Sequence, residues 1–184
     1  MQNKNLILLS ADHPDFRLRS IGKADIENLR NWKNQNKNSF FLKREITQEQ
    51  QEKWYGNFVN REQDHMFIVE QQVGSDWKEI GCMGFRKLEE EGCIDGYNII
   101  RARKIEPSSF TMSDAFRTML AYAASLYADW PLRVKVLSNN PAVEWYKKNH
   151  FTTITSENEY VLMELAKESL KNCNWSTATI KTTI

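Results

Sequence analysis

The segment from Leu132 to Phe151 most narrows the folds open to this chain. Its opening residues, LRVKVL, alternate apolar and charged side chains, which predicts a strand with one buried face. Asn140 and Pro141 then favour the start of a helix, and the following AVEWYKK places apolar side chains three and four positions apart. The two lysines suit the carbonyl end of the helix dipole. The segment therefore predicts a strand, a capped helix and a second strand, with Asn139 and Tyr146 near one point.

Apolar periodicity, caps and turn residues predict the remaining elements. They are, in order, a strand at 16–21, helices from Asp25 and Thr47, a meander of strands at 66–70, 79–87 and 93–100, a helix from Met112, and final strands at 151–155 and 160–165. The element order is β-α-α-β-β-β-α-β-α-β-β. It predicts a single α/β (α+β) domain over residues 16–166, with a mixed sheet of about seven strands and helices on both faces. Residues 1–15 form a lead-in, and residues 167–184 a polar tail.

Composition excludes several classes of protein. A chain of 184 residues with 41% apolar residues has material for one hydrophobic core, and its net charge of +1 gives no general attraction to nucleic acid or acidic membranes. The apolar run at 6–9 is too short for a signal peptide or a membrane span. Three cysteines without Cys-x-x-Cys spacing and three scattered histidines predict neither a disulfide framework nor a metal site. A cytoplasmic protein is expected.

The 132–151 segment resembles the carboxy-terminal signature of the GNAT acetyltransferase superfamily, and the order of elements over 16–165 resembles the GNAT fold. Asn139, Tyr146 and Phe151 match the signature. His150 stands where the family usually has glycine, but histidine is among the residue types that accept the left-handed conformation. The resemblance implies that Asn139 contacts coenzyme A and that the Tyr146 hydroxyl protonates the departing thiolate.

The resemblance also implies where acetyl-CoA, the expected cofactor, binds. The family holds the pyrophosphate on a glycine-rich loop that opens the central helix, but here Thr111 and Ser113 stand where glycine is expected. Arg101, Arg103 and Lys104 lie just upstream. The pantetheine arm would lie between residues 97–100 and 136–139, with the thioester oxygen near the amides of Asn98 and Ile99. The cofactor-binding residues so implied are Asn98, Ile99, Ile100, Arg101, Ser108, Ser109, Phe110, Thr111, Met112, Ser113, Asn139 and Tyr146.

Proton transfer needs an acid and a base. Tyr146 is the expected general acid, because a phenol can protonate a nascent thiolate. The base stays open between Asp95 on the fourth strand, His65 before the second, and a chain of water molecules. Asp95 shares a strand face with Tyr97 and is the residue we assign to catalysis beside Tyr146.

Aromatic residues mark the expected acceptor site, which in this superfamily is formed by the first two helices and the last hairpin. The residues are Trp32, Phe40, Phe41, Trp54 and Tyr97. The run Leu29–Asn34 resembles two subgroups, one acting on nucleotide-linked amino sugars and one on the amino termini of ribosomal proteins. The expected function is acetyl transfer to a primary amine, such as an amino sugar. Alternatives are a peptide amino-terminal acetyltransferase and a non-catalytic acyl-CoA-binding module. A monomer or homodimer is expected, with no nucleic-acid or membrane partner.

Overall fold

The computed structural model describes residues 6–104, 106–107, 110–172 and 178–182. The strands are Leu6–Ser10 (β1), Phe16–Ser20 (β2), Asp64–Val73 (β3), Asp76–Leu88 (β4), Cys93–Arg101 (β5), Leu132–Leu137 (β6), Thr152–Ser156 (β7), Tyr160–Leu165 (β8) and Ala178–Thr182 (β9). The helices are Ile26–Gln35 (α1), Gln48–Phe58 (α2), Met112–Tyr127 (α3), Ala142–Lys148 (α4) and Lys167–Asn172 (α5). The predicted alternation of strands and helices is confirmed.

All described strands belong to one mixed sheet, in the order β7-β8-β6-β5-β4-β3-β2-β1-β9. Neighbours are antiparallel, except that β5 and β6 run parallel. The reason is that β5 and β6 are joined through α3, which returns the chain to the same end of the sheet. A mixed α/β sheet was the prediction, and it is confirmed.

The sheet has nine strands, two more than the sequence pattern indicated. The lead-in supplies β1, which pairs with β2, and the polar tail supplies α5 and then β9, which pairs with β1. Leu8 in β1 is fully buried. Both terminal segments therefore extend the sheet of the central domain.

Helices cover both faces of the sheet. Phe116, Met119 and Leu120 of α3 pack with α4 and α5 into the larger hydrophobic cluster. Leu29 and Trp32 of α1 form a second cluster with α2 and the opposite face. No helix in the described ranges combines the length and apolar character that crossing a bilayer requires.

Candidate functional site

The parallel strands β5 and β6 separate soon after they begin. They are paired only at Ile94 with Leu132 and Asp95 with Arg133. Over the rest of their described length, β5 bonds to β4 and β6 to β8, so the facing edges of the two strands do not pair with each other. Beyond Arg133 an extended ligand therefore has two strand edges on which to form hydrogen bonds.

A β-bulge interrupts β5 at this gap. Cys82 of β4 pairs with Ile100 and Gly84 pairs with Tyr97, so Asn98 and Ile99 together oppose one residue of β4. Asn98 has a φ of 51°, a left-handed conformation that asparagine accepts more readily than most residues. The bulge changes the direction of β5 where the two strands diverge.

A large cavity of about 810 Å³ fills the gap. Its lining contains many of the predicted site residues: Asp95, Asn98, Ile99, Ile100, Arg101 and Tyr146 from the proposed catalytic and cofactor sites, and Phe40, Phe41 and Tyr97 from the proposed acceptor site. The lining also carries the cations Arg86, Arg133 and Lys135. Strands, helix α4 and the segment after α1 therefore meet at one site.

A smaller cavity of about 290 Å³ adjoins the large one on the side of α1 and α2. Asn98 and Ile100 line both cavities. Trp54, one of the predicted acceptor residues, lines the smaller one, and so does Lys33 of α1. The Lys33 ammonium donates a hydrogen bond of 2.7 Å to Asn98 Oδ1. The bulge therefore borders both the smaller cavity and the gap between the strands.

Tyr146 is buried at the inner wall of the large cavity, with 7% of its surface exposed. Its ring packs edge-on to Phe116 and Trp145 and lies 5.3 Å from the ring of Phe151. Burial, and the nearby Asp95 carboxylate, raise the pKa of the phenol above its ordinary value. The Tyr146 phenol is protonated at neutral pH, as an ordinary phenol is, and the upward shift keeps it from acting as a base there.

Asp95 belongs to a ladder of alternating charges across the sheet. Asp64, Arg86, Asp95, Arg133 and Glu164 occupy paired positions on β3, β4, β5, β6 and β8. Arg86 Nε donates a hydrogen bond of 2.9 Å to Asp95 Oδ2, its Nη2 lies 2.8 Å from the same oxygen in an ion pair, and Arg133 donates to Glu164. Burial raises the pKa of Asp95, and Arg86 opposes that shift. Asp95 is thus a positioned carboxylate at the cavity wall.

Tyr97 joins the first carboxylate of this ladder to the cavity. Its phenolic hydroxyl donates a hydrogen bond to Asp64 Oδ1. Asp64 is buried, and burial raises its pKa. Burial and the Asp64 carboxylate also raise the pKa of Tyr97 well above its ordinary value. The proton between the two residues therefore stays on Tyr97.

We expect Asp64→Asn to make the protein more stable at pH 7. Burial raises the pKa of Asp64 in the folded state, so folding favours the neutral carboxyl, and stability falls as the pH rises through the folded pKa. Asparagine is neutral and its Oδ1 can still accept from Tyr97. In urea unfolding, the variant's gain over the wild type should be present at pH 7 and shrink toward pH 4. Asp129→Asn, with an 87% exposed side chain, is the control and should change little. A loss of stability at pH 7 that is absent at pH 4 would contradict this reading.

The amino terminus of α3 differs from a helix terminus whose N–H groups are free to bind an anion. Thr111 donates from both its backbone N–H (2.8 Å) and its hydroxyl (2.6 Å) to Asp114 Oδ2, so the helix caps itself with its own carboxylate. Ser113 Oγ accepts from the Asn149 amide at 3.4 Å. Met112 packs against the large cluster. Ser108 and Ser109 lie outside the described residues.

Other predicted residues lie away from the two cavities. Phe110 is buried and stacks on Phe16 at 4.1 Å. Trp32 is buried in the cluster beneath α1. His65 stacks on Phe85 on the α3 face and lines a third, separate cavity. Asn139 is exposed, and the large cavity is lined instead by the next residue, Asn140.

Asn140 fixes the start of α4. Its Oδ1 accepts from the N–H of Ala142 at 2.9 Å, and its Nδ2 donates to the carbonyl of Ser39 at 3.1 Å. The first bond was foreseeable, because asparagine ahead of a helical proline is a common cap. The second joins segments 101 positions apart, and sequence patterning carries no signal for it.

Comparison with known proteins gives matches among solved structures. No protein-family profile and no curated protein sequence matches the chain. Among solved structures, the apo form of FdhC, described as a nucleotide-linked sugar GNAT, superposes with a TM-score of 0.71 at 18% identity, covering 92% of this chain and 93% of the other. Spermidine N-acetyltransferase from Vibrio cholerae, in complex with CoA and spermine, has a TM-score of 0.68 at 17% identity, covering 86% and 99%. A domain from Methanocaldococcus jannaschii has a TM-score of 0.68 at 15% identity, covering 82% and 97%.

These similarities extend over most of this chain and nearly all of each neighbour. At such low identity they show a shared fold and nothing more specific. The fold prediction made from the 132–151 segment and from the order of elements over residues 16–165 is thereby confirmed: this chain has the fold of the GNAT superfamily.

Proposed function

We propose that this protein is an acetyl-CoA-dependent N-acetyltransferase that acts on a primary amine. The observation that carries the proposal is the gap between β5 and β6, which opens at the Asn98 bulge into a cavity lined by a buried tyrosine. The two structural neighbours described as a nucleotide-linked sugar GNAT and a spermidine N-acetyltransferase support it.

The gap fits the extended arm of coenzyme A. Pantetheine carries two amides, which suit the facing strand edges of β5 and β6 beyond their last paired residues. At the outer end, the cavity is lined by Arg101, and Arg103 and Lys104 are exposed nearby, which supplies charge for phosphates. The Thr111 N–H is already bonded to Asp114. We therefore assign the phosphates to the neighbouring basic residues and not to this amide.

The chemistry divides between the cofactor and this chain. When bound, acetyl-CoA supplies an acetyl group activated as a thioester. A C–N bond forms to the acceptor amine, the C–S bond breaks, the amine loses a proton and the sulfur gains one. Tyr146 holds a proton at its phenolic oxygen beside the gap, and we assign it the role of general acid. The Asn98 and Ile99 amides at the bulge are assigned to the thioester oxygen.

We assign the base to Asp95. An ammonium must lose a proton before it can attack, and Asp95 is a carboxylate at the wall of the same cavity, held in place by Arg86. A raised pKa makes a carboxylate a better proton acceptor. His65 is the weaker candidate, because it packs against Phe85 on the opposite face of the sheet and lines another cavity.

The acceptor we propose is a small amine such as an amino sugar, including nucleotide-linked forms. Phe40, Phe41 and Tyr97 line the large cavity, and Trp54 the small one, so aromatic faces are available to a sugar ring. A peptide amino terminus is the second candidate, favoured by the volume of the large cavity, about 810 Å³.

Two measurements test the function. Calorimetry should show one molecule of acetyl-CoA, and of CoA, bound per chain. Thiol release should then follow addition of an amine from a panel of amino sugars, nucleotide-linked amino sugars and short peptides. Absence of CoA binding would overturn the proposal. Binding without thiol release on any amine would indicate an acyl-CoA-binding module instead.

A further inference from the structure

The small cavity has an unbalanced charge. Lys33 and Arg44 contribute two cations to its lining, and no carboxylate among the described residues lines it. Gln50, Gln51 and Trp54 supply amides and an aromatic face. The pocket therefore offers hydrogen-bond donors and positive charge around an apolar floor.

Lys33 is the residue whose charge is least satisfied. Its ammonium is partly buried and donates to the neutral Asn98 Oδ1, while Nζ lies 5.2 Å from the centre of the Phe40 ring. Among the described residues no carboxylate forms an ion pair with Lys33 or with Arg44. Burial, and to a smaller extent the nearby Arg86 cation, lower the pKa of Lys33.

A partly buried cation costs free energy unless an anion or enough polar groups compensate it. An ammonium has three donors, and a single amide oxygen uses one of them. Elsewhere on the sheet the same protein pairs its cations closely: Arg19 contacts Asp25, Glu70 and Glu79, each within 2.8 Å. The charge of Lys33, which contacts no carboxylate, therefore differs from the closely paired charge of Arg19.

The position of Lys33 ties this charge to the acceptor. Asn98 lines both cavities and stands at the bulge to which we assign the thioester, so a group bound at Lys33 lies next to the transferred acetyl. At about 290 Å³ the small cavity holds a compact group, not a whole nucleotide. A polyamine would bring more positive charge to Lys33 and Arg44, and like charges disfavour such a ligand.

We propose that the small cavity binds an anionic group of the acceptor, so that the substrate is an amine bearing a carboxylate or a phosphate and not a polyamine. This rests on the proposed function, because it locates the acceptor by the site of acetyl transfer. Lys33 and Arg44 hold the anion, and the amine extends past Asn98, which lines both cavities, toward Asp95 and Tyr146.

Calorimetry on the full chain without acetyl-CoA tests the anion site independently of turnover. The probes are glucosamine 6-phosphate against glucosamine, glycine against glycinamide, and spermidine. We expect at least one anionic member to bind ten-fold or more tightly than its neutral partner and than spermidine. The phosphate and carboxylate pairs distinguish the two sources of the anion.

Variants locate the binding. Lys33→Met should abolish the preference for the anionic probe, and Lys33→Arg should keep most of it, with folding checked by thermal melting. Lys53→Met removes an exposed lysine of α2 that lines neither cavity, and it should bind like the wild type. Equal binding of anionic and neutral probes, tighter binding of spermidine, or an unchanged preference in Lys33→Met would overturn the proposal. If acetyl-CoA fails to bind while the anion preference is present, the proposed function fails and the anion site stands.

Discussion

Replacing Gly81 with alanine should lower the free energy of unfolding by about 3 kcal/mol, one of the largest effects of a single methyl group in this protein. An added Cβ at this position would lie 2.1 Å from the carbonyl oxygen of Ile100 and 3.2 Å from its carbonyl carbon. Both are backbone atoms of the neighbouring strand, so no side-chain rotation relieves the overlap. β5 must move away from β4 at the point where it passes the bulge.

The same change should weaken the cofactor site. Ile100 and Arg101 line the large cavity, and Arg101 is the strand partner of Gly81. A displaced strand edge alters the gap between β5 and β6, so we expect acetyl-CoA affinity to fall together with stability. Thermal melting and calorimetry measure the two effects, and the melting temperature should fall by about 6 to 12 °C for a chain of this size.

Gly56→Ala is the matched control for Gly81→Ala. Gly56 lies in the interior of α2, and an added Cβ there has nothing within 4 Å. Alanine favours the helix over glycine by about 1 kcal/mol, so this variant should melt at a higher temperature than the wild type. If both glycine variants behave alike, the close approach of β4 and β5 at Gly81 is not as tight as the structure shows.

Local sequence patterns predicted the features that depend on residues close together in the chain. The 132–151 segment forms β6 and α4 as expected, with α4 at Ala142–Lys148, and β7 follows directly at Thr152. His150 has a φ of 68°, so the left-handed exit expected of that residue is confirmed. The Thr47 capping box with Gln50 is also present. In each case residues within a few positions of each other supply the hydrogen bonds, which is the range that sequence patterning can capture.

Contacts between segments that are distant in the chain could not be predicted from the sequence. The ladder from Asp64 through Arg86 to Asp95 depends on the register of three strands, and a register is set by how bulges and packing align whole strands. Lys33 lies in a segment recognised from its resemblance, but its bond to Asn98 spans 65 positions. β9 was missed because its residues lie in a polar tail whose partner, β1, is at the other end of the chain. The charged lining of the site could therefore be identified only from the structure.

Tyr146→Phe should reduce kcat for acetyl transfer by about 100-fold or more while leaving acetyl-CoA affinity within about two-fold of the wild type. The phenyl ring keeps the packing against Phe116, Trp145 and Phe151, so the wall of the cavity is preserved. The variant loses only the hydroxyl, which is protonated at neutral pH, and burial and Asp95 raise the pKa of the phenol further. A loss confined to kcat is the expected signature of a group that acts in the transition state and not in binding.

Tyr122→Phe separates this role from the general cost of removing a buried hydroxyl. Tyr122 is as buried as Tyr146, with 7% exposure, but it lies on α3 among Phe67, Phe85 and His65 and lines neither of the two joined cavities. We expect it to change thermal stability about as much as Tyr146→Phe and to leave kcat unaltered. Equal losses of kcat in both variants would indicate a structural effect, and an unchanged kcat in Tyr146→Phe would remove Tyr146 from the mechanism. Calorimetry follows acetyl-CoA binding separately. If the variants still bind acetyl-CoA, either result would keep the gap between β5 and β6 as the proposed cofactor site. The proton donor would then be assigned to solvent water.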